Sequence, residues 1–273
     1  MERKQTNWFV TILLFIGSLL ILFPVYLTVS IAMKTPEETA DSILAIPNTF
    51  NIENFQIAIE MTNFFQAFQN SAVITVVVVA LTLMSNSLVA YAISRNMHLR
   101  IYKFLYFYFI SAMFIPFPII MLPIVKQTTA MGLHNAAGLI LLYIVYGLSF
   151  NIFVYIGYLR SIPKDLEEAA IIDGANVWGI FWRVIFPLLA PMNATVGILT
   201  CLWAWNDFML PLILLNDPDE MTLPLVQYIF KGQFSTDYNL AFASYLMALL
   251  PMIIVYVLAQ KWIINGITTG AVK

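Results

Sequence analysis

Six apolar runs, each near the length of a membrane crossing, set the terms on which this chain can fold. They cover residues 8–33, 71–93, 104–125, 136–158, 191–215 and 240–264. A helix crossing a hydrocarbon layer of about 30 Å needs about 20 mainly apolar residues. It must be a helix or a closed barrel, because lipid offers no partner to a free backbone N–H or C=O. The rest of the chain does not dilute this signal. Of 273 residues, 61% are hydrophobic and 10% charged, against about 45–50% and about 25% in soluble domains. The reading is an all-α integral membrane protein with six transmembrane helices, held as a single domain over 1–273. Residues 8–30 form too long an apolar run for a signal peptide and are read as a retained first helix. Pro24 interrupts this first run, and Pro116, Pro118 and Pro123 predict a kink in the third.

Basic residues orient the runs, because Lys and Arg collect on the cytoplasmic side. One side holds Arg3, Lys4, Arg95, Arg100, Lys103, Arg160, Lys164, Arg183, Lys261 and Lys273, and the other holds Lys34, Lys126 and Lys231. This bias predicts that both termini and the segment 160–190 are cytoplasmic. The basic stretch Arg95, His98, Arg100 and Lys103 reads as a lipid anchor and topology signal. On the external side, Pro47 and Asn48 predict a turn, and Phe50, Phe55, Ile59 and Phe64 an amphipathic helix after it. The balance of charge gives no sign of a nucleic-acid partner. The single Cys201 reads as a small apolar helix residue, and His98 and His134 stand alone, without the company a metal site needs.

Segment 160–190 is the one long polar interruption on the cytoplasmic side. It carries Asp165, Glu167, Glu168 and Asp173. Ser161 and Pro163 predict a helix start, and Gly174 stands where a helix end favours a left-handed backbone. Asn176 can cap a second short helix over 177–186, ended by Pro187. Helix, glycine turn, helix is the form of a knob that grips a soluble partner.

Glu168-Ala169-Ala170, then Gly174, then Val184, Phe186 and Pro187 resemble the EAA loop of ABC importer permeases. The fuller string EAAIIDGA, with Phe181 and the PLLAP end, resembles the carbohydrate-uptake branch of the maltose-transporter inner-membrane type. Val184 and Phe186 depart from the Ile and Leu of the general pattern but stay apolar. The tail from Gln260 to Lys273 also resembles the family's C-terminus, and its end at Lys273 leaves a longer reach into the ATPases in doubt. The resemblance implies a multi-pass protein of a bacterial cytoplasmic (inner) membrane. It implies a second homologous permease subunit, two cytoplasmic ATPase subunits and an extracytoplasmic solute-binding protein. It assigns the coupling contact to Glu168, Ala169, Ala170, Asp173, Gly174 and Pro187. Glu168 would pair with a basic residue of the ATPase, the two alanines would allow close approach, and Gly174 would permit the turn.

Energy must come from such a partner. The spacing of Gly174 and Gly179 suggests a phosphate loop, but Ile180 and Phe181 follow where Lys and a hydroxyl belong. The chain is therefore expected to hold no cofactor of its own, with ATP used by the partner ATPase. It also lacks the series of buried acids and His that proton-coupled carriers use. Asp207 is the exception, roughly 12 Å inside the fifth run if the helix is continuous at about 1.5 Å per residue. With Asn206, Trp203 and Trp205 it reads either as part of a solute path, the indoles facing a sugar ring, or as a helix–helix cluster. Asn151 and Asn86 stand under the same two readings. No Lys or Arg falls within the runs apart from Lys261, which favours a neutral solute over a glycerol phosphate. The expected function is a permease subunit for a sugar or oligosaccharide, working by ATP-driven alternating access and not itself an enzyme. A permease for glycerol-phosphate or another small polar solute, or a stand-alone secondary carrier, is the alternative.

Overall fold

A computed structural model describes residues 8–230 and 237–271, with side chains as far as Gln260. The topology charges Arg3, Lys4, Lys231 and Lys273 and the side chain of Lys261 lie outside the described residues. So do the side chains of the C-terminal tail beyond Gln260. Every regular element described is helical: α1 (Trp8–Ala32), α2 (Pro36–Asp41), α3 (Glu53–Met61), α4 (Phe64–Arg95), α5 (Arg100–Ser111), α6 (Phe117–Ala130), α7 (Ala136–Leu159), α8 (Asp165–Ile172), α9 (Val177–Ile180), α10 (Phe186–Leu188), α11 (Ala190–Asn206), α12 (Met209–Leu214), α13 (Leu223–Val226) and α14 (Tyr238–Ala271).

Among the described residues four helices are long and apolar enough to cross a membrane: α1, α4, α7 and the Tyr238–Gln260 part of α14. The total reaches six only if two bent pairs each count as one crossing. Arg100–Phe114 and Phe117–Ala130 meet at 108°, and Val177–Leu188 and Ala190–Asn206 at 76°. The third expected run is therefore broken rather than kinked. Pro116 forces the residue before it out of helical geometry, and Ile115 is extended at φ −90, ψ 111. Pro118 then sits in the first turn of α6, where its missing N–H costs nothing, and Pro123 stays inside that helix. The fifth expected run is also broken, because α11 stops at Asn206 and Asp207 is extended at φ −72, ψ 130. A continuous helix from Asp207 to Leu215 does not exist, so the 12 Å depth inferred from one does not hold. In α1, by contrast, the helix runs straight through Pro24.

The chain packs as two compact units, Met1–Phe65 with Val226–Met252 and Gln66–Leu225 with Ile253–Lys273. In the first, α1 buries only Ser30, Ile31 and Ala32. That end is locked by side chains that collect its free carbonyls, the groups every helix C-terminus leaves over. The Asn239 amide donates to the carbonyls of Ile31 and Lys34, each at 2.9 Å, and the Asn54 amide to those of Ala32 at 2.9 Å and Lys34 at 2.8 Å. Small residues Ala32, Ala58, Ala241 and Ala243 pack beside them with Phe230. Segment 34–70 holds α2, which begins at Pro36 after the Thr35 cap, and α3, which takes only Phe55 and Ile59 of the expected amphipathic helix: Phe50 precedes it, exposed, and Phe64 opens α4.

Lys34, counted by sequence among the charges that orient the runs, is buried. It is 1% exposed, and its ammonium donates to the carbonyls of Ser42 at 2.8 Å and Ile43 at 3.1 Å. It also follows the C-terminus of α1, where the helix dipole favours a cation. Lys34→Met removes two charged hydrogen bonds and strands both carbonyls. The expected loss is about 2–3 kcal/mol, read as a lower melting temperature of the detergent-purified protein; an unchanged melting point refutes the cage.

The second unit has two cores along the same helices. Ile74, Val78, Leu139, Tyr143 and Ala204 share one, and Ala90, Ile93, Ile152, Leu159, Met192 and Val196 share the other. Numbering rises together in α4 and α7 and falls in α11, so α4 and α7 run parallel and α11 runs against them. The core at the end of α4 and α7 also takes Ile162, Ile180, Phe181 and Ile185, which seats segment 160–190 on the helix ends.

Candidate functional site

Segment 160–190 begins where α7 ends. Ser161 does not cap the next helix: its hydroxyl donates back to the carbonyl of Tyr158 at 2.7 Å. Helix α8 instead starts at Asp165, with the Lys164 carbonyl accepting from the N–H groups of Glu167 and Glu168. Asp165, Glu167 and Glu168 fill its first turn, where the helix dipole favours negative charge. The C-terminus is closed by a Schellman motif. Ala175 N–H donates to the Ala170 carbonyl and Gly174 N–H to that of Ile171, each at 2.9 Å, with Gly174 at φ +82. A side chain at that φ is strained, so glycine is needed for the turn and not for space.

Asn176 caps α9 by accepting from Gly179 N–H at 2.8 Å. The second helix then differs from the expected one. Residues Phe181–Ile185 widen into a π-helical turn in which Phe186 N–H reaches back to the Phe181 carbonyl. The chain continues through Pro187 as α10, and the break comes at Leu189 instead. A π-turn shifts the hydrogen-bond register by one residue, which is one way a helix accommodates a proline.

The two glutamates of the loop face opposite ways. Glu168 is exposed, as are Ala169, Asp173 and Gly174, while Ala170 packs on the core. Leu166, Ile171, Ile172, Val177 and Trp178 are exposed beside them, Ile172 at 87%. Glu167 turns inward. Its Oε1 accepts from Arg95 Nε at 2.6 Å, and its Oε2 from the Tyr91 hydroxyl at 2.7 Å. Arg95 also donates to the carbonyls of Leu159 and Ile162, both at 3.3 Å. One guanidinium thus joins the end of α4, the end of α7 and the start of α8. It is the one ion pair found among the described residues. Arg95 is therefore not the lipid anchor its basic neighbours suggested. Tyr91 carries no signal of its own in the sequence and Glu167 stands there only as one acid of four; the available signal was Tyr91 and Arg95 four apart, on one helix face.

The candidate path residues come together only in part. Asp207 holds the break after α11, its Oδ1 accepting from Met209 N–H at 3.1 Å and its Oδ2 from the Tyr143 hydroxyl at 2.9 Å. Trp203 stands edge-on to Tyr143, ring centres 4.9 Å apart. Trp203 and Asn151 line a cavity of about 310 Å³, and Trp203 and Asp207 line a second of about 620 Å³. The other three line neither cavity, although the Asn86 amide sits beside Gly147 behind the wall of the first. Trp205 is buried edge-on to Phe68 at 5.8 Å, Asn206 is exposed and donates to the Leu202 carbonyl at 2.7 Å, and Asn86 is fully buried.

Comparison with known proteins gives one consistent family. The sequence model described as "Binding-protein-dependent transport system inner membrane component" matches residues 86–269. The chain is 40% identical to the multiple sugar-binding transport system permease protein MsmG of Streptococcus mutans, over 100% of this chain and 99% of that protein. It is 35% identical to the probable starch degradation products transport system permease protein AmyC of Thermoanaerobacterium thermosulfurigenes, over 98% and 97%. It is 31% identical to the melibiose/raffinose/stachyose import permease protein MelC of Bacillus subtilis, over 99% and 98%. The fold is similar to that of a chain in the crystal structure of a bacterial ABC transporter involved in the import of the acidic polysaccharide alginate. There the TM-score is 0.81, at 24% identity over 96% of this chain and 98% of that one.

Proposed function

We propose, from the premise that this chain belongs to the family of binding-protein-dependent transport system inner membrane components, that it is the permease subunit of an ABC importer for a sugar or oligosaccharide. The observation that carries this reading is the two-faced α8. Its outer face offers Glu168, Ala169, Asp173 and an apolar ridge to a soluble partner, while Glu167 fastens its inner face to α4 and α7. The membrane is the bacterial cytoplasmic membrane, crossed six times, with both termini and the 160–190 loop on the cytoplasmic side. A second homologous permease, two ATPase subunits and an external solute-binding protein complete the machine. ATP closes the ATPases on each other, the closing motion moves α8, and the clamp passes that motion to the spanning helices, which alternate access to the solute path. Glu168 pairs with a basic ATPase residue, Ala169 and Ala170 allow close approach, Gly174 holds the turn, and Pro187 belongs to the arm that leads into α11. Asp207, Asn206, Trp203, Trp205, Asn151 and Asn86 belong to the path or to the walls that shape it.

The direct test is purification of the chain from its native membrane in detergent. An ATPase and a second permease are expected to co-purify; a chain that emerges alone and still transports overturns the reading. A sharper test is Gly174→Leu. A left-handed backbone costs a substituted residue about 1–2 kcal/mol, enough to disturb the turn but not the cores beneath it. The variant is expected to insert and assemble normally while its sugar uptake falls severalfold relative to ATP hydrolysis. Wild-type uptake would show that the turn plays no part in coupling.

A further inference from the structure

The 310 Å³ cavity between α7 and α11 is lined by two residues whose polar atoms, just behind its wall, the fold leaves unbonded. The side-chain nitrogen of Asn151 and the hydroxyl of Tyr146 are both buried without a hydrogen-bond partner, and both residues line the cavity. Asn151 is only 4% exposed. Buried polar groups are nearly always paired, and each exception calls for an explanation. Helix–helix adhesion does not supply one, because polar groups that join membrane helices do so by bonding to each other. Tyr155 shows the contrast: one turn further along α7, its hydroxyl donates to Asn193 of α11 at 2.7 Å. Around the two unbonded groups stand Thr200, Phe150 and the half-exposed indole of Trp203, which Tyr143 steadies from the side.

We propose that this cavity is a subsite for a single neutral pyranose unit; the inference rests on the reading of the chain as a sugar-importer permease. Ring hydroxyls accept hydrogen bonds from Asn151 and Tyr146 and exchange them with Thr200, while the apolar face of the ring lies on Trp203 or Phe150. The volume is at the lower end of the range of about 300–1,000 Å³ usual for small-molecule sites, which suits one ring. The preference for a neutral ring follows from the walls. The adjoining 620 Å³ cavity shares Tyr146, Phe150 and Trp203 and adds the Asp207 carboxylate, and among the described residues no Lys or Arg lines either cavity. A uronate or a sugar phosphate would lose water there, face a carboxylate and find no cation.

The experiment is uptake by the whole complex, with its binding protein, in proteoliposomes. Labelled maltotriose and raffinose serve as neutral probes and digalacturonate as the anionic one, with ATP hydrolysis followed in parallel. Wild type is expected to take up a neutral probe and not digalacturonate. Tyr146→Phe and Asn151→Leu should each lower uptake efficiency about three- to tenfold, the loss expected for one hydrogen bond to a ligand. Neither change should lower the melting temperature, since neither group has an internal bond to lose. Trp203→Leu should cost at least as much uptake. Unchanged uptake in all three variants, or a lower melting temperature in the first two without an uptake defect, overturns the subsite. Uptake of digalacturonate alone overturns the neutral assignment. A wild-type complex that hydrolyses ATP but takes up none of the probes sinks the sugar-importer reading itself, which separates that failure from the others.

Discussion

Replacing Glu167 by Ala is expected to leave ATP hydrolysis by the assembled complex running while sugar uptake falls about tenfold or more. Among the described residues Glu167 is the only acid that Arg95 meets, and the pair is largely shielded from water, each side chain 13% exposed. Truncating one partner leaves the guanidinium with two long bonds to carbonyls and the Tyr91 hydroxyl with no acceptor. Charged hydrogen bonds of this kind are worth about 1.5–3 kcal/mol. Loss of about 1.4 kcal/mol from the link between α8 and α4 already amounts to a factor of ten. The hydrophobic seat of the loop, with Phe181 and Ile185 fully buried, stays in place. The loop therefore remains docked but yields when pushed. Glu167→Gln retains an oxygen for Arg95 or Tyr91 and should fall between wild type and Ala. Arg95→Met should add little to Glu167→Ala, because both remove the same link. If uptake and hydrolysis fall together, or if the two defects simply add, the pair is a structural brace and not part of the transmission.

Gly138→Ala is expected to be the most damaging single methyl in the second unit. A Cβ at Gly138 would stand 1.8 Å from the carbonyl oxygen of Leu133 and 2.8 Å from its carbonyl carbon. Both are backbone atoms, so no rotamer change relieves the clash. The Leu133 turn must move, or the start of α7 must unwind and give up the Asn135 cap, which accepts from Gly138 N–H at 3.0 Å. Overpacking of this kind costs about 1–3 kcal/mol and loss of an N-cap about 0.5–2 kcal/mol. The expected result is a marked fall in the yield of folded protein and in melting temperature, with normal uptake per folded complex. Gly17 is the control: nothing lies within 4 Å of its Cβ position in α1, so Gly17→Ala should be neutral or slightly stabilising. Equal stability of the two variants would contradict the close approach at Gly138.

What could be read from the sequence was local. The long apolar helices follow from hydropathy over 20 or so residues. Gly174 and Asn176 act on backbone groups within five residues of themselves, so a helix end and a helix start can be recognised from the string alone. The failures share a cause at longer range. Arg95 finds Glu167 at a separation of 72 residues, and nothing near Arg95 distinguishes a lipid anchor from half of a clamp. Lys34 counts in sequence only as one more orienting charge, because the carbonyls of Ser42 and Ile43 that enclose it come eight and nine residues later. Pro187 reads as a terminator because the pattern assumes α-helical bonding, and the π-turn before it changes that bonding. Asp207 reads as a charge inside a helix because hydropathy does not register a break, and its bond to Tyr143 spans 64 residues. Of the candidate path, Asn151 and Trp203 were legible as polar and aromatic residues within apolar runs, whereas Tyr146 was hidden as one more aromatic in a span.

Helix α1 is locked by a residue made long after it. It buries nothing of its own before Ser30, so it can enter the bilayer as an independent solute as soon as it leaves the ribosome. Its last turn is locked by Asn239, whose amide reaches the Ile31 carbonyl across 208 residues. At about 5–20 residues per second, that partner arrives roughly 10–40 seconds later. Until Asn239 emerges, the last turn of α1 lacks the amide that collects its Ile31 carbonyl, so the helix is made well before its own end is fixed.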